Sequence, residues 1–307
     1  MGGSDSQRGG VPRHKTLKPD LLPYILVAPA FILMIIFFFY PFASNLYNSF
    51  MSEATFTRPP RFVGLANYRY ILSSPTFHQA LYNTFIWTIG VTILQFSLGL
   101  ITALLLNTKV SIMKVIRPLY ILPWATPGIV TALAWRWMYN ADYGILNSLL
   151  VQLGIMDKYH GWLVEPSTAM LSVMAVGVWK GFPFYMLMLF AGLQGIPEEL
   201  FEAAKIDGAN GLQIFRHISL PQLRPILVMS LTLGLIWTSN YFDAIYVLTG
   251  GGPARMTETL PLFIYNTAFA YFRMHDAAVP SIVLFTLVMI FGALYMGLMK
   301  RGEGATK

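Results

Sequence analysis

Side chains able to perform covalent chemistry are few in this sequence, and they are not grouped. The five histidines, His14, His78, His160, His217 and His275, are scattered without the spacing of a metal site. Cysteine is absent, which removes thiolate nucleophiles, disulfides and Cys-based zinc sites. No Gly-x-x-x-x-Gly-Lys-Ser/Thr run is present, so a phosphate-cradling loop for ATP is missing. Gly250-Gly251-Gly252-Pro253 is glycine-rich but reads as a turn in an external loop. Paired carboxylates within apolar runs are missing as well, and Asp243, Glu258 and Asp276 fall outside them, so no proton relay is expected. The chain is expected to be no enzyme and to bind no metal or cofactor itself. Two features remain. One is Lys180, alone in an otherwise charge-free run. The other is a loop dense in charge between residues 194 and 224.

That loop carries Glu198, Glu199, Glu202 and Asp207 against Lys205, Arg216 and Arg224. Pro197 suits the first turn of a helix, and Glu198 and Glu199 favour its positive end. Leu200, Ala203 and Ala204 then share one face. Gly208 can take a positive φ and end that helix at a sharp bend. Asn210 can cap a second short helix, on which Leu212, Phe215 and Ile218 form an apolar stripe. Pro221 is expected to end it before the next apolar run. Two amphipathic helices joined at a glycine form a compact elbow. On residue pattern alone it either lies on the bilayer surface or enters the groove of a soluble partner.

The elements that must carry these residues are membrane helices. The 307 residues are 55% hydrophobic and 11% charged, with a mean hydropathy of +0.56. Soluble domains carry about 25% charged residues, and disordered chains are poor in apolar ones. The net charge of +7 is dispersed in short clusters between apolar runs, so nucleic-acid binding is not expected. Crossing about 30 Å of hydrocarbon takes roughly 20 apolar residues. Charge-poor windows place six spans near Leu21–Phe42, Gln79–Leu106, Pro118–Met138, Ala169–Leu193, Ile226–Phe242 and Ala278–Met299. Continuous runs of this length satisfy their backbone polar groups as helices, so the expected fold is all-α and polytopic. Segment Tyr143–Gly154 is expected to add a short amphipathic helix at the outer interface.

Lys and Arg set the orientation. Arg8, Arg13, Lys15, Lys18, Lys109, Lys114, Arg117, Lys205, Arg216, Arg224, Lys300, Arg301 and Lys307 share one side. Only Arg58, Arg61, Arg69, Lys158, Arg255 and Arg273 occupy the other. Both termini, and with them the elbow, are therefore expected in the cytoplasm. Residues 1–19 read as a disordered tail, 20–301 as one six-helix domain, and 302–307 as a second tail.

Glu202-Ala203-Ala204, three residues, Gly208, nine residues, Ile218, one residue and Leu220-Pro221 resemble the EAA motif of ABC importer permeases. The surroundings resemble the maltose/glycerol-phosphate-type, carbohydrate branch of that family. They include Leu122-Pro123-Trp124, Ala134-Trp135-Arg136-Trp137-Met138, Trp179-Lys180-Gly181-Phe182-Pro183-Phe184 and the run Phe242–Pro253. The resemblance covers nearly the whole chain. It implies a type I importer permease in the bacterial cytoplasmic (inner) membrane. A second, homologous permease would complete the pore. Two ATPase subunits would bind ATP and Mg, and a periplasmic or lipid-anchored binding protein would deliver a carbohydrate-type substrate. Coupling to an ATPase would run through Glu202, Ala203, Ala204, Asp207, Gly208, Phe215, Ile218, Leu220 and Pro221. The family's sugar-contacting positions fall on Gly177, Lys180, Gly181, Phe184, Gly234, Trp237, Thr238 and Tyr241. The three glycines among them could leave room for a ligand or could serve helix packing. Lys180 could meet an anionic substrate, or it could be structural and paired with a carbonyl or with a carboxylate of the second permease. The competing readings are an ATP-independent secondary transporter or channel, which the lack of ion-binding carboxylates and inverted halves disfavours, and a membrane enzyme, which would need a convergent reactive set.

Overall fold

The computed structural model describes residues 22–53, 59–108 and 112–304. The tail expected at 1–19 lies outside the described residues; of the tail expected at 302–307, residues 302–304 are the end of the last helix and 305–307 lie outside the described residues. The chain divides into two units, Met1–Asn45 and Leu46–Lys307. The first unit is an apolar helical run: α1 (Leu22–Met34), a π-helical turn at Ile35–Phe39, and the start of α2 (Tyr40–Asn48).

The second unit is a helical bundle. Its elements are α3 (Ala66–Leu72), α4 (Pro75–Leu106), α5 (Ile112–Ala125), α6 (Gly128–Met138), α7 (Ile145–Gln152) and α8 (Pro166–Gln194). After these come α9 (Glu198–Ile206), α10 (Gly211–Ile214), a π turn at Phe215–Ser219 and α11 (Leu220–Ser239). The unit closes with α12 (Asp243–Thr249), α13 (Leu260–Tyr265), a π turn at Asn266–Ala270 and α14 (Met274–Gly304). Among the described residues, five helical runs are long and apolar enough to cross a membrane: Pro23–Asn48, Pro75–Leu106, Pro166–Gln194, Gly211–Ser239 and Met274–Gly297.

The remaining expected span, Pro118–Met138, is present in two pieces. Helix α5 stops at Ala125 and α6 restarts at Gly128, with Thr126 and extended Pro127 between them. Pro127 has no N–H for the carbonyl of Pro123, four residues earlier, and its extended ψ ends the helical ladder there, whereas Pro118 and Pro123 are carried inside α5. Pro221 behaves in the opposite way. The expected stop does not occur, and Gly211–Ser239 is one continuous helical run. Just ahead of the proline the Leu220 N–H bonds the Phe215 carbonyl, five residues back. This one-residue register shift absorbs the missing donor. The Tyr40-Pro41 step follows a π turn in the same way, with the Tyr40 N–H on the Ile35 carbonyl.

Helices α4 and α8 form the most extensive pair and the centre of the second unit. Prolines at their first positions, Pro75 and Pro166, start both where a missing N–H costs nothing. Helix α11 packs on both and on α14. Two apolar clusters divide the centre. One joins Trp87, Val91, Ala132, Val173, Ile245 and Leu248 at the end away from the elbow. The other joins Ala103, Tyr185, Met186, Leu189, Leu193 and Leu223 towards the elbow.

Buried amides and an indole on α4 tie it to one distant loop and to two neighbouring helices. Asn83 Nδ2 donates to the carbonyls of Arg255 at 2.9 Å and Glu258 at 3.0 Å. Trp87 Nε1 donates to the Thr238 carbonyl at 2.9 Å, and Gln95 Nε2 to the Gly177 carbonyl at 2.9 Å. Buried polar groups are worth retaining in a core only when bonded in this way.

Candidate functional site

The elbow follows α8 directly. Pro197 occupies the N-cap of α9, and Glu198 and Glu199 lie in its first turn, next to the positive helix end. Gly208 has φ +77°, in the left-handed region. Its N–H bonds the Lys205 carbonyl at 3.1 Å, while the Ala209 N–H bonds the Ala204 carbonyl at 2.9 Å. That pair of bonds is a Schellman closure, satisfying carbonyls that would otherwise end the helix unpaired. Asn210 then starts α10 with a reciprocal capping box: Asn210 Oδ1 accepts from the Gln213 N–H at 3.0 Å, and Gln213 Oε1 accepts from the Asn210 N–H at 2.8 Å.

Between the two arms lies a notch of about 320 Å³ lined by Ala204, Asp207, Gly208, Ala209, Gln213, Ile214, His217 and Ile218. Of the expected coupling residues, Ala204, Asp207, Gly208 and Ile218 meet there. Glu202 and Ala203 are exposed along α9, Phe215 is half-buried, and Leu220 and Pro221 are exposed at the start of α11. Phe201 and Ile218 pack on the apolar cluster nearest the elbow and anchor it. Ile206 and Leu212 stand free, 86% and 75% exposed. The anchoring role of Phe201 is not evident from the charge pattern, although its position three residues before Ala204 and seven before Gly208 is a helical-face signal.

A second concavity, about 170 Å³, lies midway along α8. Six of the eight expected sugar-contacting residues line it: Lys180, Gly181, Phe184, Gly234, Trp237 and Tyr241, joined by Gln95, Trp124 and Tyr185. Phe184 and Trp237 meet edge to face with centroids 4.9 Å apart. Gly177 and Thr238 do not line it; both hold Trp87. A Cβ on Gly177 would come within 2.7 Å of the Trp87 ring, and Thr238 supplies the carbonyl for its indole N–H. Trp87 in turn stacks on Tyr241, centroids 5.9 Å apart and 13° from parallel. The glycines leave no empty space. Gly181 faces Gln95, and Gly234 faces the Tyr185 hydroxyl, which would stand 1.6 Å from an added Cβ. They are contact glycines that let α4, α8 and α11 approach. Gln95 and Tyr185 bear no motif spacing. Their only signal in the sequence is polarity in the middle of an apolar run.

Lys180 is engaged by backbone. Its Nζ donates to the carbonyls of Pro123 and Trp124, each at 3.3 Å, and of Thr126. An ammonium has three N–H groups, and three carbonyls take them. The carbonyl alternative among the expected partners is the observed one. Among the described residues no group of three or more His, Asp or Glu is placed to hold a metal ion.

At the loop end of the bundle, a wider cavity of about 490 Å³ is bounded by Arg136, Tyr139, Asn140, Asp142, Gly161 and Gly252, among others. The glycine-rich turn forms one wall. Gly250 and Gly251, and beyond the cis Gly252–Pro253 bond Ala254 and Arg255, all have positive φ. Arg255 meets buried Glu258 at 3.0 Å, and Asn266 Nδ2 donates to the other Glu258 oxygen at 2.7 Å. Left-handed non-glycine residues persist only where their surroundings fix them, and this network does so.

The family model described as binding-protein-dependent transport system inner membrane component matches residues 95–301. The chain is 37% identical over 278 residues to the trehalose/maltose transport system permease protein MalF of Thermococcus litoralis, covering 90% of this chain and 92% of that protein. It is 36% identical over 276 residues to the sn-glycerol-3-phosphate transport system permease protein UgpA of Agrobacterium fabrum, covering 89% and 92%. Its fold matches a chain in the crystal structure of a bacterial alginate ABC transporter in complex with alginate pentasaccharide-bound periplasmic protein. The TM-score is 0.81 at 20% identity, over 92% of this chain and 95% of that one.

Proposed function

Because the chain belongs to the binding-protein-dependent transport system inner membrane components, we propose that it carries a sugar or sugar derivative inward as one half of a two-permease pore. It is a multi-pass inner-membrane permease of an ABC importer. Two partner ATPases bind ATP and Mg, and the permease itself performs no hydrolysis. Both termini and the elbow face the cytoplasm, in keeping with the bias of Lys and Arg. A second, different permease completes the pore, and lipid surrounds the pair. Relatives named for trehalose/maltose and for glycerol phosphate support a polyhydroxylated substrate.

The observation that carries the reading is the convergence of Phe184, Trp237, Tyr241 and Gln95 on one cavity half-way along α8. Aromatic faces pack against sugar C–H surfaces, and amide and phenol groups bond hydroxyls. The Lys180 ammonium, saturated by carbonyls, contributes its stem and no free N–H. The cavity therefore suits neutral hydroxylated faces better than it suits an anion.

The elbow supplies the drive. One ATPase seats α9 and the notch in a cleft, and closure of the ATPase pair displaces them. Because α10 runs unbroken into α11, that displacement enters a lining helix of the cavity without a flexible joint. The pore switches between two states as packed bodies move. The test is uptake by the reconstituted importer with its binding protein, across a panel of saccharides. Trp237→Ala is expected to cut uptake of the transported sugar by about tenfold, the value of one stacking contact. Unchanged uptake removes the cavity from the substrate path.

A further inference from the structure

The third span is cut in two at the depth of the cavity, and the cut is dressed with charge on both sides. Helix α5 ends at Ala125 with carbonyls that have lost their helical donors, the negative end of a half-helix. Lys180 of α8 sits on two of these carbonyls, those of Pro123 and Trp124, and on the carbonyl of Thr126 in the break itself. Helix α6 begins at Gly128, the positive end of the other half. There the Asp243 carboxylate lies against the first turn, 3.0 Å from where a Gly128 Cβ would stand. Asp243 is the first residue of α12.

The halves also belong to different cores. Tyr120 and Ile121 of α5 pack in the cluster nearest the elbow, while Ala132 and Trp135 of α6 pack with α12 in the other cluster. Trp124, at the end of α5, and Lys180 both line the mid-membrane cavity. Helices α4 and α8 run through both clusters, and the third span, broken between them, has its two halves packed in different ones, with the break opening onto the cavity.

From this we infer that the Thr126–Pro127 break is a working hinge of the transport cycle, with Lys180 and Asp243 as its positioning residues. Lys180 keeps the end of α5 fixed to α8, and Asp243 keeps the start of α6 fixed to α12. As the importer switches, α6 and α12 tilt together about Thr126–Pro127 and change the mouth of the cavity. The inference rests on the importer assignment above. It gives Lys180 a mechanical role and takes it out of substrate recognition.

The absence of cysteine makes the test direct. Leu119→Cys on α5 and Leu133→Cys on α6, both exposed, take paired spin labels across the break. The distance between them is measured in the full importer with its ATPases and loaded binding protein, nucleotide-free and then trapped with ATP and vanadate. A shift of about 2 Å or more is expected between the two states, the scale of helix shifts in such switches. Pro127→Ala restores a backbone donor for Pro123 and is expected to abolish the shift. Lys180→Met is expected to broaden both distributions and lower uptake about tenfold, as loss of a charged donor to buried carbonyls implies. Lys180→Arg, which keeps donors in reach of them, is expected to retain the shift, a rescue that loss of folding would not show. Asp243→Asn is expected to weaken the shift. A wild-type distance that stays constant while uptake proceeds overturns the hinge and leaves the importer assignment standing. Unaltered shift and uptake in both Lys180→Met and Asp243→Asn overturns the two residue roles. No uptake by the wild-type assembly overturns both readings.

Discussion

Replacing Gly208 tests whether the elbow works through its shape. The residue has φ +77°, and an added Cβ would meet nothing within 4 Å. Steric clash inside this chain is therefore absent, and the cost of a side chain is the backbone term alone. For an L-residue in the left-handed region that term is about 1–2 kcal/mol. It lowers the population of the bent elbow roughly five- to thirtyfold. Unbending also breaks the Gly208–Lys205 and Ala209–Ala204 bonds that close α9. A graded series separates this cause from others. Gly208→Asn, which tolerates the left-handed region, is expected to stay near wild type. Gly208→Ala should lose several-fold, and β-branched Gly208→Val should lose most. The assay is ATP hydrolysis stimulated by loaded binding protein, with the amount of permease in the membrane measured in parallel and expected to be constant. Wild-type stimulation in Gly208→Val, or equal loss in Gly208→Asn and Gly208→Val, refutes the reasoning.

Asn210→Ala removes the side-chain acceptor of the Gln213 N–H and leaves the backbone N–H of residue 210 to the Gln213 amide. It should cost about 1 kcal/mol at the start of α10, visible as faster amide exchange at Gln213 with no change in α8. Asn83→Ala strips the donors from the Arg255 and Glu258 carbonyls. A buried carbonyl left unpaired costs about 1–3 kcal/mol, so exchange across residues 249–260 should rise and response to the binding protein should fall. Gly234→Ala drives a methyl into the Tyr185 hydroxyl. Overpacking of about 1–3 kcal/mol should lower thermal stability in detergent. Adding Tyr185→Phe to Gly234→Ala should recover part of that loss.

The elbow was the most legible part of the chain, because its punctuation is local. Pro197, Gly208 and Asn210 each fix a helix end through their own backbone or side chain, and each stands where the pattern expects it. The spans were legible from missing charge, but a charge-free window does not register hydrogen-bond donors. It passed over Pro127, where the third span breaks, and a stop was read at Pro221, which a π turn absorbs. The difference between the two prolines lies in what surrounds them: Lys180 from another helix dresses the freed carbonyls at one, and a register shift removes the need at the other. The cavity was legible as far as helix positions go. Six expected positions converge, while Gly177 and Thr238 turn to Trp87, a side chain of α4 whose direction no spacing on α8 or α11 encodes. Lys180 was visible as an anomaly, but its partners, some 55 residues earlier, were not.

The central claim is that force from a soluble ATPase enters through the elbow, and site-specific cross-linking tests it most directly. Ala203→Cys would be the only cysteine in the chain, on an exposed face of α9. In the assembled importer, a short bifunctional reagent should join it to an ATPase subunit, with the yield changing between nucleotide-free and ATP-trapped states. In sealed, right-side-out vesicles an impermeant thiol reagent should leave it unlabelled. Labelling from outside, or cross-linking to nothing but lipid in the intact assembly, would contradict the account.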